Sequence, residues 1–390
     1  MKKTTYRISI GILFLLALLI NVVAWNSRGF SDFYRKYIFQ KVSPIQSGIS
    51  NVFSCSIGEV MILIGLFLVV LLLFTILALA VLREKKWVQK TGRCYLKTFI
   101  MILAILSLVM TSNCFVAYHA SDFETIYMPH VEDREYTVEE LILVRDYVIE
   151  QANALADTFE RDERGYIIYD EEEIKEQAKR EMKRMGEQYP LLKGYYPSPK
   201  PIAASKFLSQ QYMLGYYFPF SMEANYNKQM YVVNMPATMC HELSHLKGFM
   251  YEDDANFIGY LACISSDDAF FRYSGYVSML DYLNNALFEN LGGNVEAYLQ
   301  YKQCDILVAY DNMFLTKEAW EEVEETAVFD TETVKKASHT FVETNLNLNG
   351  IEEGLANYGR VVEYLLKYYD GVLYEKQYHD KQIFMLTFRG

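Results

Sequence analysis

Residues 240–257 read CHELSHLKGFMYEDDANF. His241 and His245 stand four apart, with Glu242 directly after the first. Residues at that spacing project from one face of a helix, so the two imidazoles can share one metal ion. Glu242 lies about 100° further round the same helix, within reach of a water polarised by that ion. Zn²⁺ at such a site brings the pKa of water to about 7 and polarises a carbonyl, while the glutamate moves protons. The chain has only six histidines, so an accidental His-Glu-x-x-His is on the order of one in a hundred for this composition. The plainer reading, two histidines that merely share a helix, leaves the flanking sequence unexplained.

Those flanks fit a site. Asn234 is a good helix N-cap, Met235-Pro236 suits a first turn, and Gly248 suits a left-handed stop. The preceding SQQYMLGYYFPFSMEANYNKQMYVVNMP is aromatic and β-branched and predicts one or two strands. A strand edge there could hold an extended substrate by main-chain pairing. A catalytic zinc usually has three protein ligands, and Glu252, Asp253 and Asp254 follow His245 by seven to nine residues. Tyr251 stands where the HExxHxxGxxH pattern would have its third histidine, so that class is not matched. EDDAN resembles the E-x-x-A-[DN] segment that supplies a glutamate ligand in several membrane-associated gluzincin peptidases. That resemblance implies Glu252 as the third ligand and Asn256 as the group supporting a ligating histidine. Asp253 and Asp254 remain the alternatives.

Further out, the chain divides into two regimes. Residues 1–118 carry 13 Lys+Arg against 3 Asp+Glu, and residues 119–390 carry 24 against 46, giving +10 and −22. The front holds three uncharged apolar runs, Ile8–Trp25, Val60–Leu82 and Thr98–Tyr118. Each reaches the length that spans a bilayer core. Lys2, Lys3 and Arg7 before the first run would also suit a signal peptide, but no small-residue cleavage site comes after it and two further spans do. The 83–97 loop holds six Lys+Arg and the 26–59 loop four. The positive-inside bias therefore puts the N-terminus and 83–97 in the cytoplasm. The expected organisation is a membrane domain over 1–118 and an external domain over 119–390. At −22 the latter is a poor nucleic-acid partner. The six cysteines show no CxxC spacing and no disulfide framework.

The external part reads as mainly α with a small β-sheet, an α+β, zincin-like domain. Thr137 and Glu140 form a capping-box pattern before an amphipathic run. The charged DEEEIKEQAKREMKRMGEQ predicts a helix with a solvated face. GYYPSPKPIAAS reads as a loop or extended segment. Helical periodicity marks ANFIGYLACI, YVSMLDYLNNALFEN, NVEAYLQYKQCDILVAY, TKEAWEEVEETAV and IEEGLANYGRVVEYLLKYY. Tyr273 and Tyr276 in FRYSGY are candidate oxyanion stabilisers, although Ser274-Gly275 reads more simply as a turn between helices. Glu223 and Asn225 could line a cleft but read first as solvated strand ends. His119, His130, His339 and His379 have no partner spacing and read as ordinary polar residues.

GYYFPFSMEANYN, the CHELSH segment through FRYSGY, and NYGRVVEYLLKYY together resemble the bacterial domain-of-unknown-function 3810 family. Its members are membrane proteins with a few N-terminal spans before an HExxH domain. Leu246-Lys247 and Asp254 depart from that family's commoner residues. The resemblance implies a membrane-anchored zinc metallopeptidase acting on protein or peptide, with His241, His245 and Glu252 on zinc and Glu242 as general base. The rival reading is a catalytically silent zinc-binding sensor or scaffold. An intramembrane protease fits poorly, because the motif is too polar on both sides to be a span. The motif names a chemistry and not a substrate, and no sequence feature fixes an oligomeric state.

Overall fold

A computed structural model describes residues 3–374 apart from 130, 132, 133 and 349–358. His130 and His379 lie outside the described residues. Three helices are long and apolar enough to cross a membrane: Thr5–Asn26, Ile57–Val81 and Lys86–Tyr118. They match the three apolar runs, and the third extends beyond its run by taking in the basic 86–97 stretch. Many apolar side chains of these helices point outward, Leu63 and Phe67 at 66% and 64% exposure among them.

The stretch between the first two apolar helices is not a simple loop. It folds into helices at Arg28–Tyr34 and Gln40–Ser50, joined by a π-helical turn, and these pack onto the polar part of the chain. Gln40 donates to the carbonyls of Leu191 and Lys247, and Ser43 to that of Leu246, all within 2.8 Å. The sequence boundary near residue 120 therefore separates compositions, while residues 27–59 pack with the acidic part of the chain beyond it.

The rest of the described chain is mostly helical around a three-stranded sheet of order β1-β3-β2. β1 (Lys200–Ile202) runs parallel to β3 (Glu223–Asn227), and β2 (Gly215–Phe218) runs antiparallel to it. β1 falls in the proline-rich segment, where a short strand uses Pro201 in its middle. A helix at Ser205–Gln210 lies between β1 and β2 and has no strong sequence signal. The capping box is present: Thr137 accepts from Glu140 N–H, and the Glu140 carboxylate accepts from Thr137 N–H at 2.8 Å. The charged helix, Glu171–Gln188, buries Ile174, Ala178, Met182 and Met185 on one face.

The motif lies on a helix at Met235–His245. Asn234 flanks it but does not cap it, because its backbone is helical at the end of a 3₁₀ turn rather than extended as a cap requires; its side chain donates to the carbonyls of Met313 and Phe314. Gly248 has φ +83°, the left-handed conformation that frees the chain to turn back. A second helix, Glu252–Ile264, then packs along the motif helix. Gly259 allows this, since a Cβ there would stand 2.9 Å from the Ala237 carbonyl oxygen. Helix Ala269–Asn290 covers both, so Ser274-Gly275 is mid-helix rather than a turn. NVEAYLQYKQCDILVAY breaks into two short helices, Val295–Tyr298 and Ile306–Asp311.

Candidate metal centre

The two helices bring His241, His245 and Glu252 together, with one donor atom from each lying within 4.8 Å of the others. His241 Nε2 and His245 Nε2 are 3.2 Å apart. Glu252 places one oxygen 3.2 Å from His241 Nε2 and the other 3.8 Å from His245 Nε2. A tetrahedral zinc with bonds of about 2.0–2.1 Å spaces its ligand atoms about 3.3 Å apart, so the donor set fits that ion by chemistry and by span.

Each imidazole is fixed from behind. His241 Nδ1 lies 2.8 Å from Asn256 Oδ1. His245 Nδ1 lies 2.7 Å from the Phe249 carbonyl oxygen. Carbonyl oxygens only accept, so both Nδ1 atoms carry hydrogen and both Nε2 atoms face the common point. Asn256 is itself oriented by donating to the Tyr282 hydroxyl at 3.0 Å. Asn256 stands one helical turn beyond Glu252, so a single helix supplies both the carboxylate and the support.

The electrostatics without a cation are those of a crowded site. Burial lowers His241, but the Glu252 carboxylate outweighs it and holds the pKa up at about 9. His245, buried and beside His241, is pulled down to about 4. Burial raises Glu252, yet the bond to His241 and the pull of both imidazoles carry it down to about 2. Its side chain is 54% exposed, and contact with water adds to that preference for the ionised form. One proton held between two imidazoles and a carboxylate is the charge pattern that a cation would replace.

Glu242 is the fourth member. It is 5% exposed, and its Oε2 has no hydrogen-bond partner among the described residues. Burial pushes its pKa up to about 8, with His241 opposing. Such a carboxyl is poised to exchange protons near neutrality. Gly215 of β2 lies against it, and a Cβ there would stand 2.8 Å from Glu242 Cδ. β2 is one of the two outer strands of the sheet, so the general-base candidate sits under a strand edge. Sequence spacing could not point to Gly215 or Tyr282, because each reaches the site through the fold.

Other candidates lie elsewhere. Tyr273 is fully buried and donates to Asp311 at 2.6 Å. Tyr276 is buried and its ring packs against Tyr147 and Tyr260. Asp254 is turned away from the histidines and accepts from Phe123 N–H and the Tyr364 hydroxyl. Asp253 is outside the cluster that draws in Glu252. Glu223 is not a solvated strand end: at 2% exposure it pairs with Lys200 and accepts from the N–H groups of Ile57 and Gly58. Asn225 is likewise buried. The His119 ring packs tilted against Trp25, and His339 is exposed on its own helix.

The site is a histidine–carboxylate cluster on two adjacent helices beneath an edge strand, in a chain with three apolar helices. The family described as Protein of unknown function (DUF3810) matches residues 34–366. The chain belongs to that family. No curated protein and no solved structure matches it.

Proposed function

We propose that the chain is a membrane-anchored, zinc-dependent peptidase with a zincin-like arrangement on the external side of a bacterial membrane. His241, His245 and Glu252 would hold the zinc, and Glu242 would act as general base and then general acid. The observation that carries this reading is the convergence of two Nε2 atoms and a carboxylate beside a buried, unpaired Glu242 oxygen. The bound ion would supply Lewis acidity and a lowered pKa of water. Glu242 Oε2 takes the proton of the attacking water as its oxygen bonds the scissile carbonyl carbon. The same oxygen returns that proton to the amine nitrogen as the C–N bond breaks. The β2 edge would align an extended peptide across the motif helix. The excess of Lys/Arg in 83–97 supports the external placement.

Glu242→Gln keeps the shape and removes the base. The purified full chain with this change should retain zinc and lose cleavage of a mixed peptide library. Unchanged cleavage would remove Glu242 from the mechanism. A wild type that binds zinc and cleaves nothing would favour the silent sensor.

A further inference from the structure

The apolar helices do not merely tether the site. Their ends bond directly to the sheet beside it. At the start of the second apolar helix, the N–H groups of Ile57 and Gly58 point at the Glu223 carboxylate of β3. Glu59 in the same turn accepts from the N–H groups of Ala203 and Ala204, just after β1. The Phe218 ring of β2 lies against Gly58. At the end of the third apolar helix, Asn113 donates to the Pro219 carbonyl at 2.7 Å and its own carbonyl accepts from the Tyr217 hydroxyl at 2.9 Å. The Tyr217 ring is 5.6 Å from that of His245. One side chain therefore separates a metal-ligand candidate from the last turns of a membrane-crossing helix.

The strand edge lies in the same place. Asn227 N–H donates to the Leu214 carbonyl in the antiparallel register of β2 and β3. Because bonded and non-bonded pairs alternate, Tyr216 and Phe218 turn their main chain toward β3, and Gly215 and Tyr217 turn theirs outward. A peptide pairing on that edge would lie one strand spacing away, about 4.8 Å. It would run between Glu242, which touches Gly215, and the helix end that holds Tyr217. Tyr216 and Phe207, at 40% and 51% exposure, are aromatic in the manner of side chains at a membrane interface.

From this placement, and resting on the peptidase reading above, we infer that the substrate is an extended juxtamembrane segment of a membrane-anchored polypeptide. A folded soluble protein would have to unravel a strand against the bilayer surface to reach this edge. A segment leaving the bilayer already lies there, and anchoring raises its local concentration without any new contact.

The test uses the zinc-loaded full chain in phosphatidylethanolamine–phosphatidylglycerol vesicles. The probe is a randomised peptide library joined by a Gly/Ser spacer to one apolar helix, compared with the same library unanchored. Glu242→Gln vesicles set the background. Anchored peptides should be cut at least about tenfold faster. The cuts should stay within about ten residues of the anchor, at about 3.3 Å per extended residue, even as the spacer is lengthened. Equal cutting of the free library, or cuts that move outward with the spacer, would overturn the inference and leave the peptidase standing. No cutting of either library would overturn both.

Discussion

Asn256 and His241 form one hydrogen-bonded pair across two helices, with Asn256 Oδ1 accepting the Nδ1 hydrogen at 2.8 Å. The pairing fixes which ring nitrogen faces Glu252. Removing it in Asn256→Leu should weaken zinc binding about 10–100-fold, the usual cost of losing such support. Asn256→Asp keeps an acceptor and should bind as well as wild type. Competition against a chromophoric chelator measures both, and an unchanged affinity in Asn256→Leu would separate this pair from the metal.

Gly215 leaves room for the Glu242 carboxylate. In Gly215→Ala the new methyl would meet Cγ and Cδ of Glu242 at 2.8 Å, so the carboxylate must move. Peptide turnover should fall about 10–100-fold, as displacements of this size do, while zinc content stays at the wild-type level. A loss of zinc instead would place Gly215 in support of the ligands.

Asp254 gives a pH signature away from the ligand atoms. Burial pushes its pKa up to about 7, against about 3.9 for an unfolded aspartate. The folded state thus holds the proton more tightly. Its contribution to stability is complete below about pH 4 and is lost as the pH rises through about 7. Metal-free wild type should lose melting temperature over that window. Asp254→Asn should lose less, the slopes differing by up to about 1.4 kcal/mol per pH unit. Parallel curves would mean that Asp254 does not titrate there.

Gln40 and Ser43 hold the turn that orients His245. Their bonds to the Lys247 and Leu246 carbonyls precede Phe249, whose carbonyl accepts from His245. Each change to alanine should cost about 1 kcal/mol, and the double change should also lower zinc affinity. Ser47→Ala removes a bond that stays within its own helix and should leave zinc affinity alone. Thermal unfolding and zinc titration together decide this.

Whatever depends on spacing along one helix was legible in the sequence. His241, Glu242 and His245 share a face by arithmetic, the Thr137–Glu140 box is local, and the apolar runs declare themselves by length. Glu252 and Asn256 were nearly so, since Gly248 folds the next helix straight back. Features that depend on distant packing were not. Gly215 reaches Glu242 only because β2 crosses the motif helix. Glu223 looked solvated because its partners, Lys200 and the start of an apolar helix, come from elsewhere in the chain. Gln40 and Ser43 lie some two hundred residues from the turn they hold. Asn234 has the right residue type for a cap, but a 3₁₀ turn before the helix leaves its backbone helical instead of extended.

The central claim is that two histidines and Glu252 make one metal site, and metal analysis of the purified full-length protein tests it most directly. Wild type and Asp253→Ala should each carry about one zinc per chain, and Glu252→Ala should lose most of it, since a catalytic site rests on three protein ligands. Zinc content unaffected by Glu252→Ala would contradict the account.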